Sequence, residues 1–117
     1  MSINNALAGI AVRNIDTACQ WYEHLLGQAP NRPMPEVAEW KFLHGGWLQV
    51  FTDETRAGKS SICLAVSDIE DEIRRVNSAG IQVDGFQDTS QAKVAVLQDP
   101  EGNQIILAES KTADLAQ

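Results

Sequence analysis

The feature that most limits how this chain can fold is that one short pattern runs through it twice. Ala11, Val12 and Ile15 return as Ala65, Val66 and Ile69, each 54 positions later, and the helix-capping residues Asn14 and Asp68 keep the same spacing. Each copy reads as a strand, a capped helix, a glycine that ends it and then a hairpin. A single copy has one apolar face and nothing to bury it against, so two copies must share a core. The arrangement that satisfies both is an α+β fold of two βαβββ units, with paired sheets forming an open curved barrel and the helices outside. Its concave side is a cup, and small ligands favour barrel mouths and the seams between repeats.

In the first copy, Leu7 to Val12 reads as a strand. Asn14 caps a helix whose apolar stripe is Ile15, Ala18, Cys19, Tyr22, Leu25 and Leu26, and Gly27 ends it. Three prolines between Gln28 and Pro35 leave room for a short edge strand at most. Val37 to Leu43 and Trp47 to Thr52 form a hairpin around His44-Gly45-Gly46. In the second copy, the strands are expected at Ile62 to Val66, Ile81 to Phe86, Ala92 to Leu97 and Gln104 to Glu109. A helix capped by Asp68 and closed by Gly80 follows the first of them, and a polar loop spans Gln87 to Gln91. This gives one domain over 1–117: unit one about 5–53, a linker at 54–60, unit two about 61–109 and a fraying tail at 110–117.

Composition narrows the function. A formal net charge of −7 argues against nucleic acid, whose binding needs a basic face, and against docking on an anionic membrane. No apolar run approaches the ~20 residues of a membrane span, and Met1 to Val12 lacks the basic start of a signal peptide. Cys19 and Cys63 lie within apolar segments, as reduced, buried thiols of a cytoplasmic protein would.

Two motifs carry a family resemblance. Val12 to Gly27, VRNIDTACQWYEHLLG, resembles the opening of the glyoxalase / bleomycin-resistance / extradiol-dioxygenase proteins, the vicinal oxygen chelate superfamily. Asp99-Pro100-Glu101-Gly102-Asn103, followed by Ile105 and Ile106, is similar to that family's turn before its last strand. The resemblance covers about Leu7 to Glu109 and implies a divalent metal held by His, Glu or Gln from the first and last strands of each unit. Carried over by position, the four slots fall on Leu7, Gln49, Ser61 and Ile106. Two are aliphatic, Ser is a weak neutral donor, and Gln49 alone cannot hold Zn, Fe or Mn. No metal or other cofactor is therefore expected. His24 and His44, the two histidines, read as surface residues.

If the slot positions face the cup, residues two apart on each strand face it too. The expected ligand-binding set is Leu7, Trp47, Gln49, Phe51, Ser61, Cys63 and Ile106. Ile10, Val12, Leu48, Val50, Ile62, Leu64, Ile105 and Leu107 would pack under the helices. The strand 37–43 allows two facings. A three-residue loop aims Glu39 and Lys41 inward, whereas a Gly45-Gly46 turn aims Trp40 and Phe42 inward. The second is preferred, because Gly-Gly suits a hairpin, and it adds Trp40 to the set.

The function expected from these residues is metal-free binding of a small apolar, aromatic or cationic molecule. A metal-dependent lyase or dioxygenase with displaced ligands is the alternative. A metal-free enzyme using Glu39, Lys41 or Lys93 is another, so whether the chain is catalytic stays open. The partners expected are a small-molecule ligand and a second copy. A lone chain would expose the apolar cup, and relatives in the family commonly pair.

Overall fold

The computed structural model describes residues 2–111. Unit one is β1 (Leu7–Val12), α1 (Ile15–Leu26), β2 (Asn31–Met34), β3 (Val37–Lys41) and β4 (Trp47–Thr52). Unit two is β5 (Ser61–Ala65), α2 (Ile69–Ser78), β6 (Gly85–Asp88), β7 (Ala92–Gln98) and β8 (Gln104–Ser110). Each unit makes one four-stranded sheet, ordered β1-β4-β3-β2 and β5-β8-β7-β6. The first strand pairs parallel with the last, and the other pairings are antiparallel. This is the α+β fold of two βαβββ units, with sheets that remain open.

Local chemistry sets the helix ends. The Asn14 side chain accepts from the Thr17 N–H and the Asp68 side chain from the Asp71 N–H, so each helix starts on a side-chain cap. Gly27 takes φ +74° at the end of α1 and sends its N–H back to the Glu23 carbonyl. Both helices lie on the same side of the sheets and touch: Arg75 of α2 donates to the carbonyls of His24 and Leu25, at the end of α1. β1 and β5 lie side by side beneath them.

The core sits between helices and sheets. Ile10, Val12, Leu48, Val50, Ile62, Ile105 and Leu107 are buried there, as the alternation along the strands requires. Leu64, expected with them, is only half-buried. Tyr22 is fully buried and packs edge-on against Trp21, with ring centroids 4.8 Å apart.

Three expectations need correcting. The strand expected at Ile81 to Phe86 begins at Gly85 and runs to Asp88. Ile81 is buried and donates its N–H to Val76, so the chain first returns along α2 before it can pair with β7. Ser110, placed in the fraying tail, is the last residue of β8, and residues 112–117 lie outside the described residues. Cys63 is an exposed free thiol on the open face; only Cys19 is buried.

Candidate functional site

The sheet faces turned away from the helices form a broad open surface. On unit one, β1 contributes Leu7 and Gly9, whose β4 neighbours in register are Trp47 and Gln49, while Phe51 lies beside the buried Ala11. Ladder partners share a face, so Lys41 and Glu39 of β3 stand beside Trp47 and Gln49. Gln49 donates its Nε2–H to Glu39 Oε2 at 2.8 Å. The Lys41 Nζ lies 5.7 Å from the Trp47 ring centroid, and the Arg56 guanidinium lies 5.2 Å from that of Phe51. Arg56 also donates to Asp53 and thereby holds that carboxyl below the usual carboxylate range. A Cβ added at Gly9 would come within 3.2 Å of Phe51 Cε1, so the bare glycine gives the ring its place against β1.

Unit two offers less chemistry on the same face. Ser61 lies beside Gln104 and Cys63 beside Ile106. The Ser61 hydroxyl donates to Gln104 Oε1 at 2.9 Å. Partial desolvation raises the Cys63 thiol, which disfavours the reactive thiolate.

Trp40 is not on this surface. It pairs with Leu48, is 1% exposed, donates Nε1–H to the Gln28 carbonyl and packs 6.1 Å from the Tyr22 ring. The cause is the loop. Residues 42–46 form a five-residue turn in which the Phe42 N–H bonds the Gly46 carbonyl, with Gly45 and Gly46 at φ +95° and +84°. Lys41 therefore opposes Trp47, and the parity brings Glu39 and Lys41 to the open face. Phe42 is half-buried against the core. The remaining site residues stand where the alternation puts them, with Leu7, Trp47, Gln49 and Phe51 together on unit one and Ser61, Cys63 and Ile106 together on unit two.

The four slots that the fold family uses for a metal do not fit one. Leu7 and Ile106 have no donor atom, Ser61 is bonded to Gln104, and Gln49 is bonded to Glu39. His24 and His44 are exposed and lie elsewhere. Among the described residues, Asp68, Glu70 and Glu109 bring carboxylate oxygens within 4.8 Å of one another. These are committed on the helix side: Glu109 accepts from the Ile69 N–H and Glu70 binds Lys93.

The second sequence motif proves structural. Asp99 and Asn103 are the two buried polar side chains among the described residues. Asp99 accepts from the Tyr22 hydroxyl at 2.7 Å, from the Asn103 amide and from the N–H groups of Glu101 and Asn103. Asn103 also donates to the Ala11 carbonyl and accepts from the Ser60 N–H. The Glu101 carboxylate accepts from the N–H groups of Arg13 and Asn14, ahead of α1. The turn thus ties unit two to unit one. Gly58 is held against it at φ +79°, where a Cβ would fall 2.6 Å from the Glu101 carbonyl oxygen.

With the two units, their helix-free face and the latch in view, the class of protein follows. The chain belongs to the Glyoxalase-like domain family, whose model matches residues 8–108. Among solved structures it is similar to a glyoxalase / bleomycin resistance protein from Catenulispora acidiphila. That match has 26% identity, 92% of this chain and 98% of the other covered, and a TM-score of 0.85. TnmS3, an antibiotic binding protein from Streptomyces sp. CB03234, shares the fold at 22% identity, covering 95% and 99% with a TM-score of 0.79. So does a bleomycin resistance determinant encoded on the transposon Tn5, at 20% identity, covering 94% and 100% with a TM-score of 0.77. Among curated proteins none matches this chain.

Proposed function

We propose that this chain is a metal-free binding protein that sequesters a small planar or cationic molecule on the open face of unit one. The observation that carries the reading is the set Trp47, Gln49, Phe51 and Glu39 on one surface. Two rings supply stacking area. Because Gln49 gives one N–H to Glu39, its Oε1, its other N–H and the second Glu39 oxygen are left for a ligand. The slot chemistry supports a role without a metal-dependent lyase or dioxygenase step. Two structural neighbours, the antibiotic binding protein and the bleomycin resistance determinant, make sequestration a natural function for the fold.

The same reading makes the working form a cytoplasmic homodimer. Leu7 is 50% exposed and Trp47 and Phe51 are half-exposed, so a second copy would cover the face and wall the site. The test is a titration of tryptophan fluorescence with planar aromatic cations, in wild type and Trp47→Ala, alongside light scattering and a chelator melt. Expected are a dimeric mass, a melting temperature unmoved by chelator, and roughly tenfold weaker binding in the variant, about 1.4 kcal/mol. Equal affinity in Trp47→Ala, or a chelator-dependent loss of several degrees, removes the reading.

A further inference from the structure

The two units meet at two seams, and in each the hairpin loop of one unit faces the helix start of the other. The ladders align Trp47 with Gln104 once Leu7 is aligned with Ser61, so loop 42–46 corresponds to loop 99–103. Their backbones share two hydrogen bonds and part at the last residue, where Gly46 takes φ +84° and Asn103, like the other described non-glycine residues, has no positive φ. Phe42 N–H bonds the Gly46 carbonyl as Asp99 N–H bonds that of Asn103, and Gly45 N–H bonds the Phe42 carbonyl as Gly102 N–H bonds that of Asp99. The side chains do not agree. Phe42, Leu43, His44 and Gly46 replace Asp99, Pro100, Glu101 and Asn103, and Val76 replaces Tyr22. None of the latch described above can form.

What remains at that seam is a cavity of about 630 Å³ between the end of α1, loop 42–46 and the start of α2. It adjoins a more apolar one of about 450 Å³ that reaches Cys63, and the two share Phe42, Leu43, Leu64, Ala65 and Ser67. Leu43 stands 91% exposed at the loop tip and Leu64 half-buried in the wall, so the cavity presents apolar surface.

The charge of the seam is reversed as well. The latched seam receives an anion, Glu101, beside Asn14, Thr17 and Ala18; the corresponding residues at the open seam are Asp68, Asp71 and Glu72. Two of these carboxylates are already paired, Asp71 with Arg74 at 3.3 Å and Glu72 with Arg75 at 2.7 Å, which leaves Asp68 as the acid at the α2 start that carries uncompensated charge. Two cations line the cavity, and both are committed. Arg75 donates to Glu72 and to the α1 carbonyls, and Lys41 lies over Trp47. Among the described residues, no cation pairs with Asp68.

We infer that the open seam is a second binding site, distinct from the face of unit one, for a small amphiphile carrying a protonated amine on an apolar body. The body rests on Phe42, Leu43 and Leu64, and the ammonium group faces Asp68. The site exists because loop 42–46 makes the same two backbone hydrogen bonds as the latch without its side chains.

The experiment is an amide-resolved NMR titration of the full chain with 2-phenylethylamine, with phenylacetate and 2-phenylethanol as charge-reversed and neutral analogues. Expected are saturable shifts at 42–45 and 64–71, with the amine bound roughly tenfold more tightly than phenylacetate. Asp68→Asn keeps the helix cap and is expected to weaken the amine about fivefold while leaving 2-phenylethanol unchanged. Grafting the latch (Phe42→Asp, Leu43→Pro, His44→Glu, Gly46→Asn and Val76→Tyr) is expected to abolish binding; if the graft does not fold, Asp68→Asn still decides. Shifts confined to Trp47, Gln49 and Phe51, equal affinity for phenylacetate, or an Asp68→Asn variant indistinguishable from wild type would overturn the inference. Shifts confined to Trp47, Gln49 and Phe51 would support the unit-one face while removing this seam, so the two readings fail separately.

Discussion

At one seam, loop 99–103 buries a carboxylate, an amide and a phenol against α1; at the other, loop 42–46 makes the same two backbone hydrogen bonds and leaves a cavity against α2. Backbone hydrogen bonds and positive-φ glycines at Gly45 and Gly102 suffice to shape both loops. Docking needs more, namely side chains that satisfy the groups being buried. The difference teaches that a sequence signature can be strong and yet carry no reaction chemistry. Asp99, Glu101 and Asn103 are spent on holding two half-domains together, which frees the pseudo-equivalent loop to vary. In a fold made of two similar halves, one latched seam keeps the halves aligned and the unlatched one becomes available for function.

The sharpest way to break this comparison is Asp99→Ala. It leaves the buried Tyr22 hydroxyl and Asn103 amide short of an acceptor and frees two backbone N–H groups in the turn. Breaking a buried charged network costs about 3–5 kcal/mol, a large share of the roughly 5–15 kcal/mol available to a domain of this size. Urea denaturation should show that loss. A cost under about 1 kcal/mol would mean that the seam is held by apolar packing rather than by the latch.

A smaller effect is expected from Tyr22→Phe, which removes one hydrogen bond and keeps the ring. Losing this partner of Asp99 should cost about 1–3 kcal/mol at neutral pH. The pH dependence follows from the environment of the phenol. Burial first, and then the charge of Asp99, raise it above its ordinary value of 10.0. The folded state therefore favours the neutral form. That contribution is fully present below the ordinary value and is lost as the pH rises beyond it. Wild type should lose stability between pH 10 and 11 in urea melts, whereas Tyr22→Phe should lack this component. A parallel decline in both would assign the alkaline loss to other groups.

Most of the fold was legible because it rests on periodicity and caps. The 54-residue repeat, Asn14, Asp68 and Gly27, and the alternation that buries Ile10, Val12, Leu48 and Val50 are local signals. The facing of the candidate site's residues was legible only where strand parity was fixed. Trp47, Gln49 and Phe51 follow from Leu7 by alternation, but Trp40 depends on the length of loop 42–46, and two adjacent glycines suggested a shorter turn than the five residues present. Aligning the hairpins of the two units would have corrected it, since Phe42 to Gly46 has the same length as Asp99 to Asn103. The latch itself was not legible, because Asp99 meets Tyr22 across 77 residues and only the fold brings them together. Nor was the open seam, which is defined by what its loop lacks.

The smallest effect should come from Leu43→Ser, at the tip of the loop facing the open seam. Leu43 is 91% exposed, so it contributes almost no burial to the folded chain, and its counterpart Pro100 is exposed too. Surface substitutions of this kind fall within about 0.5 kcal/mol of wild type. A change at the next position of the latched loop, Glu101→Ala, strips the acceptor from the N–H groups of Arg13 and Asn14 and should cost about 1–2 kcal/mol. Measured side by side in urea, the pair compares the two loops directly, free of the core. If Leu43→Ser instead costs more than about 1 kcal/mol and the cost grows with protein concentration, the tip is buried in the working assembly. The seam is then closed by a second copy of the chain, and the loop that lost its internal latch has gained an external one.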